Sequence, residues 1–417
     1  MTPADTAEPA SRLARRLGLA DAVVLGLGAM IGAGVFAAFA PAAEAAGAGL
    51  LVGLALAGGV ALCNAVSSAR LAAVYPESGG TYVYGRERLG PFFGYLAGFG
   101  FVVGKIASLA AMALTFGSYA APSLARPLGI AAVVALTAVN LLGVTKTAGL
   151  TRVLVACVLA TLAFVVAASL LAGDPAPDRV GPFWPDDGLH GILASGGFLF
   201  FAFAGYARVA TLGEEVRDPE RTIPRAILLA LGITLLVYTA VAASLLLVLG
   251  PERTANAVAP LLAAVEAAGL EEAGPIVRAG AALAALGVIL SLLAGVSRTV
   301  FAMADAGDLP RSLAAVHPRR RVPHRAELAV GAVVVAVVAL ADLRSAIGFS
   351  SVTVLAYYAI ANASAFTLPP DGRRRSRLVP VAGVVGCLAL ALALPLPTVL
   401  AGVGMLTVGA LVYALRR

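Results

Sequence analysis

Long apolar runs separated by short polar segments make up most of the chain. About 20 consecutive apolar residues suffice for a helix to cross the hydrocarbon core of a bilayer. The pattern therefore predicts an all-α membrane protein with twelve transmembrane helices. These spans lie near residues 19–40, 48–73, 92–121, 127–145, 153–173, 189–210, 223–249, 276–303, 327–347, 350–368, 379–394 and 396–414.

The composition supports a membrane protein. Of the 417 residues, 60% are hydrophobic and 13% are charged, and the mean hydropathy is +0.93. Soluble domains are roughly 45–50% apolar and about 25% charged. We therefore exclude a soluble domain and a nucleic-acid-binding protein, and expect the lipid bilayer as the surrounding partner.

The basic residues lie mainly in the loops on one of the two membrane sides that twelve spans would define. With the N-terminus placed in the cytoplasm, 24 of the 30 lysines and arginines fall on the cytoplasmic side and five on the other. Cytoplasmic loops carry such an excess in membrane proteins. We expect both termini in the cytoplasm, and the arginine-rich, lysine-poor usage, typical of a prokaryote, favours the plasma membrane.

No motif for catalysis stands out. The chain has no zinc-protease His-Glu-x-x-His, no Gly-x-Ser-x-Gly and no phosphate-binding Walker loop. Its three cysteines, Cys63, Cys157 and Cys387, lie inside apolar runs, which argues against a metal site. We expect no enzyme, no cofactor and no bound metal.

Glycines interrupt the first span near its middle, at Gly32 and Gly34. Broken backbone at membrane depth is tolerated where it lines a cavity, and freed N–H groups at the start of a half-helix can hold a carboxylate. Close packing between helices through small residues is the alternative interpretation of the same glycines.

The sixth span has a similar interruption, with glycines on both sides of the aromatic stretch Phe198–Phe203. Spans one and six begin two sets of five spans that run in opposite directions. Broken helices at corresponding positions of inverted repeats point to a binding site near the middle of the membrane.

At this point the sequence resembles the amino acid/polyamine/organocation (APC) superfamily of secondary transporters. Four stretches carry the resemblance, and they occur in the order expected for that superfamily. They are IGAGVF at 31–36; YPESGGTYVY at 75–84; FFAFAG at 200–205 with EEVRDP at 214–219 and IPRA at 223–226; and the segment from Ser297-Arg298 to Asp308-Leu309-Pro310.

The resemblance implies a core of ten helices in a 5+5 inverted repeat, with helices 1 and 6 discontinuous and two extra helices. It divides the chain into a cytoplasmic tail at 1–18, a first repeat at 19–173, a second repeat at 189–368, and the last two helices with a short tail at 379–417. The implied function is secondary active transport of amino acids.

The resemblance also implies where substrate would bind, along the stretch that begins at Ile31. The substrate carboxylate would meet the N–H groups of Gly32, Ala33 and Gly34. The substrate ammonium would meet carbonyls of the broken stretches, and an aromatic side chain would cover the bound molecule. The carbonyls would be those near Ala29, Phe201, Ala202 and Ala204. The aromatic side chain would be that of Phe201 or Phe203, and Gly205 adjoins this stretch. Glu214 and Glu215 would anchor a cytoplasmic loop or gate.

The chain departs from the superfamily pattern in the fifth span. Proton-coupled members often carry a lysine there, whereas Val158 takes that place here. Lys105, near the middle of the third span, is the only basic residue expected at such depth, where a charge normally marks function or a buried pairing. It is a candidate coupling group or a structural tie between carbonyls, and Ser291 in the eighth span is a candidate sodium ligand.

Several alternatives remain. Coupling to sodium in place of protons is possible, as is exchange of amino acids or polyamines, although a polyamine would favour acidic groups at membrane depth. A channel-like facilitator would need a continuous polar lining, which the sparse polar residues of the spans do not form.

Overall fold

The computed structural model describes residues 17–75, 79–143, 148–206, 216–369 and 375–416. The described chain is helical, apart from short turns and a single bridge between Leu17 and Val216. The expected all-α class is confirmed. Predicted features at 1–16, 76–78 and Glu214–Glu215 lie outside these residues.

Most helices follow one another through short loops, and the longer connections at 172–187 and 306–323 each contain a 3-10 turn. In chain order they are α1 Leu19–Met30, α2 Gly34–Ala37, α3 Phe39–Ala46, α4 Leu50–Val74, α5 Thr81–Leu89, α6 Pro91–Ala120, α7 Ala125–Leu141, α8 Ala148–Leu171, α9 Gly188–Phe203, α10 Pro219–Val248, α11 Gly250–Asn256, α12 Pro260–Ala267, α13 Gly274–Asp305, α14 His324–Leu340, α15 Leu343–Phe366, α16 Arg375–Leu392 and α17 Leu396–Arg416.

Nine helical segments of the described chain are long and apolar enough to cross a membrane. The remaining long helices, α9, α14 and α16, have 16, 17 and 18 residues. The apolar stretches Gly188–Phe203 of α9 and Arg377–Leu392 of α16 are shorter than the nine segments. The protein is therefore a multi-pass membrane protein, and the number twelve stays a prediction.

The predicted boundary between spans nine and ten is wrong by about seven residues. Helix α14 ends at Leu340 and α15 begins at Leu343, so the turn lies near Asp342. The Asp342 carboxylate accepts a hydrogen bond of 2.9 Å from the backbone N–H of Ser345 and so caps the start of α15. An aspartate before an apolar run is a helix-start signal, and hydropathy alone does not detect it.

The bundle packs around the segments from the first and sixth spans. Helix α9 packs against α3 and α4, while α10 packs against α1 and α4. Helix α6 runs through the molecule and contacts α13, α14 and α15. Fully buried aromatic side chains fill this region, among them Phe36, Phe200, Phe203, Tyr206 and Tyr238.

Candidate substrate-binding site

The first span is broken where its glycines predict. Helix α1 ends at Met30, and the chain resumes helical structure at Gly34. Between them, the Gly32 N–H donates to the Met30 carbonyl at 2.8 Å, which forms a tight turn. The N–H groups of Ala33, Gly34 and Val35 donate to no other residue of the described chain, although all three residues are buried. Buried N–H groups usually have a partner, so they are available to a ligand.

The sixth span is interrupted at the corresponding place. Helix α9 ends at Phe203, and Ala204–Tyr206 form a turn in which the Gly205 N–H donates to the Phe203 carbonyl at 2.7 Å. The following residues, 207–215, lie outside the described chain.

The two interruptions contact each other through their glycines. A Cβ atom on Gly34 would lie 2.8 Å from the Ala202 Cα, and one on Gly205 would lie 1.9 Å from the Ala29 carbonyl oxygen. Each glycine therefore lets the backbone of one interruption approach the other. Helix breaking and close packing, which the sequence left as alternatives, occur together here.

Tyr238 of α10 joins the two interruptions by its side chain. Its hydroxyl lies 2.8 Å from the Met30 carbonyl oxygen and 3.1 Å from the Ala202 carbonyl oxygen. Both carbonyls are acceptors, so the single hydroxyl proton is shared between them. The side chain is fully buried. Sequence reasoning missed this residue because it lies in an apolar run without any local signal.

Lys105 reaches the second interruption. It is 8% exposed, and its Nζ atom donates to the Ala204 carbonyl oxygen at 3.2 Å. No ion pair with Lys105 occurs within the described ranges. The neighbouring Gly104 sits so close to Thr353 that a Cβ atom would lie 2.4 Å from its hydroxyl oxygen. Gly104 therefore allows α6 and α15 to approach closely next to Lys105.

The aromatic candidates differ in their surroundings. The Phe203 ring is fully buried and meets the Tyr238 ring edge-on, with 5.2 Å between centroids. Phe201 is also buried, at 6% exposed. Phe203 thus packs between helices, and the assignment of either ring as a cover over substrate stays a prediction.

Tyr119 closes one end of the first interruption, and sequence reasoning missed it as well. Its hydroxyl donates to the Phe36 carbonyl at 3.0 Å and accepts from the Leu261 N–H at 3.3 Å. Its ring meets the Phe36 ring edge-on at 5.5 Å. Arg278 donates to the Tyr119 carbonyl at 2.7 Å, so α2, α6, α12 and α13 meet at this point.

A small apolar cavity lies where α1, α8 and α13 meet. Ile31, Val158 and Gly287 are among its lining residues, so the predicted position in the fifth span does face the first interruption. Ser291 is exposed and is not among the lining residues; its hydroxyl lies 3.0 Å from the Gly287 carbonyl and 3.1 Å from the Val288 carbonyl. The structure does not bring Ser291 together with Lys105, and its role as a sodium ligand stays a prediction.

One buried carboxylate lies elsewhere in the bundle. Glu327, in the first turn of α14, is 3% exposed, and its Oε1 atom accepts from the Asn140 amide at 2.9 Å. The same amide nitrogen lies 3.1 Å from the Leu290 carbonyl oxygen. These contacts tie α7, α13 and α14 together, and neither of them involves a residue of the two interruptions.

Comparison with known proteins is consistent with this geometry. The sequence model of the amino acid permease family matches residues 21–407. An uncharacterised transporter of Mycobacterium tuberculosis is 62% identical over all of this chain and 94% of its own length. The branched-chain amino acid permease BcaP of Bacillus subtilis is 27% identical over 97% of this chain and 93% of its own length. Human cationic amino acid transporter 4 is 30% identical over 87% of this chain and 61% of its own length.

Proposed function

This chain belongs to the amino acid permease family of the APC superfamily, and from that premise we propose that it is a proton-coupled secondary transporter of amino acids in the plasma membrane. Family membership supports an amino acid transporter, and it agrees with the expectation that the chain is not an enzyme, since the relatives are transporters. The observation that most supports a transport site between the two interruptions is their reciprocal contact, in which Gly34 meets Ala202 and Gly205 meets Ala29.

Substrate binds between the two interruptions. The N–H groups of Ala33 and Gly34, which donate to no residue of the described chain, receive the carboxylate with the tight turn at Gly32, since freed N–H groups at a half-helix start favour an anion. Carbonyls of the second interruption receive the ammonium, such as that of Phe201, which otherwise accepts only a long bond of 3.4 Å from the Ala204 N–H within the described chain. The Ala202 and Ala204 carbonyls already accept from Tyr238 and Lys105, so they serve substrate only when those bonds are shared or exchanged.

Alternating access follows from this arrangement. Twelve helices, with the two repeats at 19–173 and 189–368, place the interruptions near the middle of the membrane. The tail at 1–18 and the last helices at 379–417 lie outside the repeats, and both termini are cytoplasmic. Rocking of one repeat against the other would expose the site to each side in turn.

Lys105 is the coupling group of this proposal. Its bond to Ala204 connects a group that can gain or lose a proton to the backbone of the second interruption. Loss of the proton would weaken this hydrogen bond, because a neutral amine is a poorer donor than an ammonium, and so allow the turn to move. The substrate is a neutral amino acid, because the buried carboxylate Glu327 is committed to Asn140 and lies on other helices.

Purified protein in proteoliposomes tests the proposal. Uptake of labelled neutral, cationic and acidic amino acids is measured with an imposed pH gradient, with a sodium gradient and with neither. We expect concentrative uptake of neutral amino acids driven by the pH gradient alone. Uptake that follows sodium would contradict proton coupling, and uptake that requires an amino acid on the opposite side would indicate exchange.

A further inference from the structure

A cavity separate from the substrate site lies among α6, α14, α15 and α17. Its volume is about 420 Å³, whereas one water molecule needs about 10–15 Å³. Val103 and Ala107 of α6, Phe349 of α15 and Ala401 and Met405 of α17 are among the residues that line it. The lining is almost wholly apolar, so the cavity does not suit water.

The cavity opens onto the outer surface of the bundle. Val333 of α14 is 47% exposed and Met405 is 38% exposed, and both belong to the lining. Helix α17 covers one side of the cavity. Only 17% of its apolar stretch is buried inside the protein, compared with 72% of that of α15. In a multi-pass membrane protein this surface faces hydrocarbon, and unfilled space there loses dispersion contacts. The occupant must enter from the bilayer.

Charged groups lie beside Ala341, one of the residues that line the cavity. The Arg126 guanidinium donates to the carbonyls of Ala339 and Ala341 at 3.0 and 3.4 Å, and Ala341 is part of the lining. The next residue is Asp342, whose carboxylate accepts from the Ser345 N–H. Arg126 and Asp342 do not line the cavity, but both adjoin the lining residue Ala341. A guanidinium and a carboxylate beside an apolar cavity match a phosphate and an ammonium group at the end of an acyl chain.

Asp342 remains ionised under ordinary conditions. Burial alone would raise the pKa of its carboxyl, but hydrogen bonds from Ser345 and the adjacent backbone outweigh burial and lower the pKa. Arg126 and Asp342 thus offer opposite charges beside Ala341, which does not favour a purely anionic headgroup.

We propose that this cavity is a phospholipid site that holds one acyl chain, with a phosphatidylethanolamine headgroup between Arg126 and Asp342. The phosphate pairs with the guanidinium, and the ammonium pairs with the carboxylate. The lipid completes the packing between α17 and the helices that carry Lys105 and Thr353, and it does not enter the substrate site.

Native mass spectrometry of the purified full-length protein tests the chain-binding part. Palmitoyl-oleoyl phosphatidylethanolamine is titrated into delipidated protein, and Ala401→Trp is compared with Leu400→Trp. Both positions are exposed on α17, but Leu400 is not in the lining. We expect saturable binding of one lipid that weakens at least fivefold in Ala401→Trp and is unchanged in Leu400→Trp. Absent saturable binding, or an equal effect of the two variants, would overturn the proposal.

The headgroup is tested by a second pair of variants. Arg126→Gln is compared with Arg253→Gln, an exposed arginine of α11, and phosphatidylglycerol with the same chains replaces phosphatidylethanolamine in a parallel titration. We expect weaker binding of phosphatidylethanolamine in Arg126→Gln only, and weaker binding of phosphatidylglycerol to the unmodified protein. Equal binding of both lipids with no effect of Arg126→Gln would overturn the headgroup assignment. A change of oligomeric mass in Ala401→Trp would instead identify the cavity as an interface between copies.

Discussion

Individual residues at the two interruptions act on backbone carbonyls, because this part of the site offers few polar side chains. Lys105 and Tyr238 together engage three carbonyls, those of Ala204, Met30 and Ala202. Carbonyls freed from a helix are strong acceptors that must be satisfied at membrane depth. Each of the two side chains therefore stabilises the broken backbone, and each can be tested separately.

Replacement of Lys105 separates coupling from structure. We expect Lys105→Ala to abolish accumulation driven by a pH gradient while leaving binding of substrate. Lys105→Arg keeps the positive charge but does not release its proton at accessible pH, so it should bind substrate and still fail to couple. Proteoliposome uptake with and without the gradient measures both effects.

Ser108→Ala is the matched control for Lys105. Its hydroxyl lies on the same helix, 2.6 Å from the Ser350 hydroxyl, and does not contact the lysine. Full accumulation by a stable Lys105→Ala protein, or full coupling by Lys105→Arg, would disprove the coupling role.

Removal of the Tyr238 hydroxyl should destabilise the protein. Tyr238→Phe keeps the ring contact with Phe203 but leaves the Ala202 carbonyl without its donor, whereas the Met30 carbonyl still accepts from the Gly32 N–H. An unsatisfied buried group costs about 1–3 kcal/mol, so we expect a lower melting temperature in detergent and reduced uptake. Thr239→Val is the control, since that exposed hydroxyl bonds only the Leu235 carbonyl of its own helix. Equal melting temperatures of the two variants would contradict the bridging role.

At the scale of the helices, glycine determines where the two interruptions meet. Gly34→Ala would place a methyl group 2.8 Å from the Ala202 Cα, and Gly205→Ala would place one 1.9 Å from the Ala29 carbonyl oxygen. Since these neighbours are backbone atoms, they cannot rotate away. We expect both variants to lose uptake, whereas Gly59→Ala, with no atom within 4 Å of the added Cβ, should transport normally. Uptake is compared at equal amounts of reconstituted protein.

The helices and the interruption of the first span were predictable from sequence because hydropathy and glycine position are local signals. That the two interruptions form one site was expected from the inverted repeat and the resemblance. The pairing of Gly34 with Ala202 and of Gly205 with Ala29 was not predictable, since no local signal relates these positions. Tyr238 and Tyr119 were missed for the same reason, because their partners lie 36 or more positions away. The turn at Asp342 was misplaced because hydropathy does not register a capping carboxylate.

For the whole molecule, the distribution of basic residues predicts which loops share a side of the membrane. Twelve spans place 24 of the 30 basic residues on the side of the termini. One missed or extra span before spans eleven and twelve would remove this asymmetry. The orientation of the protein and the number of its spans are therefore tested together. Asp186 precedes α9, whereas Arg374, outside the described residues, immediately precedes α16. The prediction is that Asp186 faces the exterior and Arg374 the cytoplasm.

Single cysteines at these two positions test the orientation with a membrane-impermeant maleimide. The three native cysteines are first replaced by serine or alanine, because Cys157 is exposed and Cys63 is partly exposed. In intact cells we expect Asp186→Cys to react and Arg374→Cys to react only after the membrane is permeabilised. Arg320→Cys, in another predicted cytoplasmic loop, should behave like Arg374→Cys. Because five predicted spans separate Asp186 from Arg374, labelling of both from the same side would require an even number of crossings between them, and the twelve-helix topology would be wrong.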